Sequence, residues 1–190
     1  METKKEFTKF SNEGVIIGRI LAAYADLELS LFHCVNVTRE DFDTVYKAMF
    51  KERGETRRIN MADIFGRQNY QKLELGTHFE MAISSVRYCL KIRNQSAHCI
   101  WWDDYSGFLA FANLEEIAEN NRVVEDLKDL NIRHIDVATL VQQEQYFEYT
   151  DSFLAWVNFE WRRIAGKPSA PQQPAPKQLE RPPLYMLNNE

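Results

Sequence analysis

The stretch "THFEMAISSVRYCLKIRNQSAHCIWWDD", residues 77–104, decides most of the predicted fold. Its first part repeats apolar side chains at intervals of three and four residues, which is the spacing of one helix face. The repeating positions are Phe79, Ala82, Ile83, Val86, Cys89 and Leu90. We therefore predict a helix from Thr77 to about Ala97, followed directly by a segment rich in aromatic residues.

The rest of the chain predicts a mainly α-helical fold with a small β-hairpin. Residues 99–114 are typical of a hairpin, because two short runs of aromatic and branched residues flank the turn sequence "DDYSG". A brief strand is predicted at 132–136, and the segment between Gly66 and Gly76 is compatible with helix. Further helices are predicted at 13–37, 39–53, 55–67, 113–130 and 137–166.

Composition divides the chain into three parts. Residues 1–12 are predicted to form a flexible N-terminus, and residues 13–166 a single helical domain. All six prolines lie beyond Gly166, in a segment with few core-forming residues. We therefore predict a disordered, Pro-rich tail at 167–190, which is either solvated or available to a partner.

Several classes of protein are disfavoured by the sequence. The charged N-terminus "METKKEFTKF" lacks the apolar run of a signal peptide, and no later segment is apolar over the length of a membrane span. This pattern predicts a cytoplasmic protein without membrane contact. The three cysteines lie in apolar sequence, which disfavours disulfides. No zinc-site spacing and no Gly-rich phosphate loop is found, so we predict neither a metal nor a cofactor.

Arg93, Asn94 and His98 end the predicted motif helix, and their residue types suit acid–base chemistry on a phosphate. Neutral imidazole can take a proton from a ribose 2′-hydroxyl, and guanidinium can bind a phosphate through two parallel hydrogen bonds. On an ideal helix Arg93 points about 140° away from His98, whereas Asn94 shares the face of His98. Arg93 and His98 can act on one ligand only if the helix ends nearby or a second chain supplies one of the two residues. The alternative is ordinary capping of the last helical carbonyls.

The sequence "RNQSAH" resembles the signature of the HEPN superfamily, in which Arg and a following polar residue precede His at a short spacing. The resemblance implies an α-helical bundle over roughly residues 13–165, a homodimer, and a metal-independent endoribonuclease of a toxin, defence or RNA-processing system. Arg93 would then bind the scissile phosphate, His98 would be the acid or base, and Asn94 would position one of them. RNA and a protein inhibitor or antitoxin would be the partners.

Two further sets of residues are candidates for a weaker RNA-binding surface. The net charge is −5, yet residues 47–93 carry ten Lys and Arg against five Asp and Glu. The candidates are Arg53, Arg57, Arg58 and Arg67 for phosphates and Trp101 and Trp102 for stacking on bases. Solvated arginines and core tryptophans are the alternatives.

A second class of function stays open on charge alone. Residues 103–160 carry three Lys and Arg against thirteen Asp and Glu, which does not favour RNA. The alternative is a non-catalytic helical module that binds a nucleotide, RNA or protein partner, with Arg93 and His98 as structural caps.

Overall fold

The computed structural model describes residues 5–113 and 131–186, which are mainly helical with a small antiparallel sheet. These residues divide into two compact units. Unit 1 contains residues 5–22, 91–113, 131–145 and 181–186, and unit 2 contains Ala23–Leu90 and Tyr146–Glu180. The helices are α1 (Lys5–Lys9), α2 (Ser11–Arg39), α3 (Phe42–Phe50), α4 (Glu55–Lys72), α5 (Gly76–His98) and α6 (Val137–Ile164). The strands are β1 (Cys99–Asp103), β2 (Leu109–Asn113) and β3 (Arg133–Ile135).

Local sequence explains where several helices begin and end. Asp41 caps α3, since its carboxylate accepts a hydrogen bond from the Thr44 backbone N–H at 3.1 Å. Asp136 caps α6 in the same way, through the Thr139 N–H at 2.8 Å. Gly166 follows α6 with a φ of 69°, a left-handed conformation that glycine adopts without steric cost. None of the described helices is both long and apolar enough to cross a membrane.

Most of the predicted elements are confirmed, with bounds that shift by a few residues. One difference concerns α4, which continues through Gly66 as a single helix to Lys72. The glycine does not interrupt the helix; the ring of Phe79 packs where a Cβ of residue 66 would lie. The helix predicted at 113–130 falls almost wholly outside the described residues.

Unit 2 is organised around a buried aromatic pair. The rings of Tyr70 and Phe79 stack with centroids 4.3 Å apart, and both side chains are fully buried. The Tyr70 hydroxyl donates a hydrogen bond to the Cys34 carbonyl at 2.9 Å. Burial raises the pKa of the Cys34 and Cys89 thiols to about 12. Both cysteines are therefore protonated core residues.

Unit 1 contains a three-stranded antiparallel sheet in the order β1-β2-β3. In its register Trp101 lies opposite Phe111, and their ring centroids are 4.9 Å apart. Phe7 of α1 lies 6.4 Å from the same tryptophan ring, and Lys9 forms a 2.7 Å ion pair with Asp103. The short first helix is thereby attached to β1 by an aromatic contact and a charge pair.

The Pro-rich tail has no helix or strand between residues 167 and 186, yet it makes defined hydrogen bonds. Within unit 2, Nε1 of Trp156 donates to the Gln173 carbonyl at 2.9 Å. Within unit 1, the Met186 N–H donates to the His134 carbonyl at 2.9 Å. The prediction of a disordered tail is not confirmed for these residues, because backbone groups of the extended chain find hydrogen-bond partners on folded elements.

Candidate active site

The end of α5 brings Arg93, Asn94 and His98 together within one chain, and we call these three residues the α5 site. Nη1 of Arg93 lies 3.4 Å from Nε2 of His98 and donates to Oδ1 of Asn94 at 3.1 Å. The helix ends at His98, and the long guanidinium side chain spans the angle of about 140° that separates the two positions. The helix end alone is sufficient for this contact, so a second chain is not needed for it.

In the contact between Arg93 and His98 the guanidinium is the hydrogen-bond donor, because it has no acceptor atom, and Nε2 of His98 is the acceptor. His98 is exposed, whereas Arg93 and Asn94 are half-buried. In the described part of the chain, a base and a cation thus lie side by side at a surface that solvent reaches.

Gln95 connects the α5 site to the C-terminal segment of unit 1. This side chain is 8% exposed, and its Nε2 donates to the Leu184 carbonyl at 2.6 Å. The fully buried Gln143 of α6 donates to the carbonyls of Pro183 and Leu184 at 2.8 and 3.2 Å. Two buried amide side chains therefore bind the two consecutive carbonyls of Pro183 and Leu184, and one of these side chains lies on the helix that carries the site.

Neither glutamine was predicted from the sequence to belong to the site. One signal was available for Gln143, which lies three residues after Leu140 and four before Phe147, on the buried face of α6. A polar residue on such a face needs an internal hydrogen-bond partner. That partner lies 40 or 41 residues further along the chain, where local pattern gives no indication of it.

The two candidate tryptophans occupy different environments. Trp101 is 8% exposed and packs against the rings of Phe7 and Phe111, which matches the core alternative for it. Trp102 is half-buried and has the opposite strand orientation, since neighbouring residues of a strand face opposite sides. Of the two, only Trp102 has surface that a base could contact.

The four candidate arginines lie in unit 2, and two of them are paired with carboxylates. Nη1 of Arg58 donates to both carboxylate oxygens of Glu28, at 2.9 and 3.0 Å. Arg67 contacts Asp63 at 2.8 Å and Glu80 at 2.7 Å. The other two, Arg53 and Arg57, are exposed. The charges of Arg58 and Arg67 are thus locally balanced, which leaves less basic surface than the sequence predicts.

A second imidazole in unit 1 is held by a carboxylate. Nε2 of His134 on β3 lies 2.8 Å from Oδ2 of Asp104, at the start of the hairpin turn. Burial acts to raise the pKa of Asp104, but hydrogen bonds from Ser106 and His134 outweigh it and lower that pKa to about 2. The two residues are 30 positions apart, so local sequence gives no indication of this pair.

The described residues offer no alternative site built on a metal. Among residues 5–113 and 131–186, no group of three or more His, Cys, Asp or Glu side chains is placed to hold a metal ion. The α5 site itself consists of a cation, an amide and an imidazole, which is a donor set for an anionic ligand.

No protein-family model matches the chain, and searches of curated proteins and of solved structures find no match either. Function is therefore inferred from the geometry of the α5 site.

Proposed function

We propose that the protein is a metal-independent endoribonuclease of the HEPN kind, in which the α5 site acts on the RNA backbone. The observation that supports this proposal is the 3.4 Å approach of Arg93 Nη1 to His98 Nε2 at an exposed helix end. A base and an anion-binding group have to lie this close together to act on the same phosphodiester.

In the proposed reaction, the bound phosphate takes the place of His98 as the partner of Arg93. The guanidinium donates to non-bridging oxygens, and Asn94 Oδ1 keeps it oriented through the 3.1 Å contact. Nε2 of His98 then receives the proton of the ribose 2′-hydroxyl. The 2′-oxygen attacks phosphorus, the bond to the 5′-oxygen breaks, and the products are a 2′,3′-cyclic phosphate and a 5′-hydroxyl.

The leaving 5′-oxygen also needs a proton, and a second copy of the chain would supply it from its own imidazolium. The proposal therefore includes a homodimer with both α5 sites in one cleft. It also includes a cytoplasmic location, where RNA is available, and a protein inhibitor or antitoxin that covers this cleft. Exposed Arg53 and Arg57 and half-buried Trp102 are the supporting RNA contacts in this proposal.

The test is cleavage of a labelled RNA, with a DNA of the same sequence as the control, in the presence of EDTA. Wild type is expected to cut only the RNA and to leave a cyclic phosphate. His98→Ala is expected to lower the rate by about 10²–10⁴-fold, which is the usual contribution of general acid–base catalysis. His33→Ala, at another exposed histidine, is the matched control and should keep the wild-type rate. A His98→Ala protein that cuts as fast as wild type contradicts the proposal.

The shared cleft can be tested separately by mixing wild type with an excess of His98→Ala protein. The proposed reaction uses one imidazole from each chain, so a heterodimer with a single imidazole should be as slow as the His98→Ala protein. The activity is therefore expected to fall more steeply than the fraction of wild-type chains. A fall that is only proportional to that fraction, in a mixture shown to form heterodimers, would rule out the shared cleft.

A non-catalytic binding module is the second candidate function. It is favoured by the carboxylate pairing of Arg58 and Arg67 and by the buried ring of Trp101, which reduce the surface available to RNA. If the protein is such a module, RNA should stay intact in the assay above. Arg93→Ala should then lower the melting temperature, since the arginine would act as a structural cap.

A further inference from the structure

One face of α6 in unit 2 carries a groove, which we call the α6 groove. It is lined by Ser152, Ala155, Trp156, Phe159 and Glu160, and residues from 170–176 of the tail lie over it. The space between helix and tail has a volume of about 290 Å³. That is close to the lower end of the range for ligand sites, roughly 300 Å³. The tail therefore covers the groove without filling it.

The indole of Trp156 provides a fixed hydrogen-bond donor in the α6 groove. Its ring contacts those of His78 and Phe153, with centroid distances of 5.1 and 6.0 Å. Its Nε1 donates to the Gln173 carbonyl at 2.9 Å. An indole N–H can only donate, so this point of the groove selects a carbonyl oxygen.

The segment that lies over the groove, "SAPQQPAP" at 169–176, has the composition of a proline-rich ligand. Pro171 and Pro174 have the P-x-x-P spacing, and Pro176 follows them. Proline favours the extended polyproline II conformation, in which no internal hydrogen bond occupies the carbonyls. Proline-rich peptides bind aromatic-lined grooves through such carbonyls. Trp156 and Phe159 supply the rings, and Trp156 supplies the donor.

We propose that the α6 groove is a binding site for proline-rich peptides of a partner protein, and that residues 169–176 occupy it as an intramolecular competitor. The tail segment binds the groove weakly, because its residues 171–175 are all exposed and bury little surface there. A tethered segment competes through its effective concentration, which is of millimolar order for a short linker, and not through close fit. A partner peptide with larger side chains gains apolar contacts in the 290 Å³ that the tail leaves open.

The test uses the full chain and a fluorescent synthetic peptide with the sequence of residues 168–179. The released variant carries Pro171→Gly, Pro174→Gly and Pro176→Gly, which remove the extended preference from the tail alone. We expect this variant to bind the peptide about tenfold more tightly than wild type, if the tail occupies the groove in about nine-tenths of wild-type molecules. The measurement is fluorescence anisotropy.

Two substitutions in the released variant show whether the peptide enters the groove. Trp156→Phe keeps an aromatic ring but removes the N–H donor together with part of the ring surface, so it should abolish the gain in peptide affinity. Tyr105→Phe removes one polar atom from a ring that is 89% exposed in unit 1, and the gain should persist. A gain that survives Trp156→Phe overturns the proposal, and so does the absence of any gain.

Trypsin checks that the tail leaves the groove in the released variant. Lys167 and Arg181 both precede proline and resist trypsin, so the bond after Lys177 is the useful reporter in this segment. We expect it to be cut faster in the released variant, and equal rates would overturn the proposal. Light scattering tests whether the tail of a second copy of the chain occupies the groove. If wild type is a dimer and the released variant is a monomer, the tails are exchanged between copies. That result would overturn the proposal of a separate partner protein.

Discussion

Gly66 lies in the interior of α4 with the ring of Phe79 against its Cα, and the substitution Gly66→Ala tests this packing. A Cβ at residue 66 would lie 2.5 Å from Cζ and 2.9 Å from Cε1 of Phe79. The ring cannot withdraw easily, because it is fully buried and stacked on Tyr70 at 4.3 Å. The hydroxyl of Tyr70 is in turn held by the Cys34 carbonyl at 2.9 Å. The added methyl group must therefore displace several buried atoms.

Gly18→Ala is the matched control for this substitution. Gly18 also lies inside a helix, α2, and apart from the backbone of its own helix no heavy atom lies within 4 Å of the point that a Cβ would occupy. Alanine gains about 1 kcal/mol over glycine in a helix interior at either position, so this contribution cancels in the comparison. The difference in unfolding free energy between the two variants is then the cost of overpacking, about 1–3 kcal/mol.

The assay is urea unfolding followed by circular dichroism, with calorimetry for the melting temperature. For a chain of this length, about 2–4 °C accompanies each kcal/mol, so Gly66→Ala should melt roughly 2–12 °C below Gly18→Ala. Gly18→Ala should be slightly more stable than wild type. Equal stability of the two variants, or a more stable Gly66→Ala, would refute the packing argument.

Three further outcomes are expected. At pH 8 a thiol reagent should label Cys99 in the native protein and reach Cys34 and Cys89 only on unfolding, because burial raises the pKa of those two thiols to about 12; rapid native labelling of all three thiols would contradict this. The pKa of Asp104 is lowered from 3.8 to about 2, so its ionised form stabilises the fold above pH 4 and this contribution is lost as the pH falls to 2. Asp104→Asn should therefore lower stability at pH 6 and flatten the dependence of melting temperature on pH between 4 and 2, whereas an unchanged pH profile would count against the pair. Tyr70→Phe should cost about 1 kcal/mol in urea unfolding, since it removes a buried hydrogen bond; no measurable loss would mean that the hydroxyl contributes nothing.

The helices were predictable because their signal is local. The spacing of Phe79, Val86 and Leu90 is sufficient to predict α5, and the turn sequence between two aromatic runs is sufficient to predict the hairpin. Gly66 lies within the helix predicted at 55–67, but its packing role was not predictable. The ring of Phe79, its neighbour in space, lies where a Cβ of residue 66 would be, and no local pattern contains this contact.

The α5 site was predictable in its members and only partly in its geometry. Helical angles separate Arg93 from His98, but the length of the arginine side chain brings the two together at the helix end. The contacts made by Gln95 and Gln143 were not predictable, because the acceptors lie far along the chain. The disordered tail was predicted from composition alone. Composition gives no information on the hydrogen-bond partners that an extended chain finds on residues far away in sequence.

The hydrogen bond from Gln95 to the Leu184 carbonyl also determines an order of events during synthesis. The acceptor follows the donor by 89 residues, so at about 5–20 residues per second a ribosome makes it roughly 4–18 s after Gln95. Throughout that interval the nascent helix that carries Arg93 and His98 lacks the peptide that later anchors it. The α5 site would therefore be among the last parts of unit 1 to mature, so a ribosome still translating this chain carries an immature site.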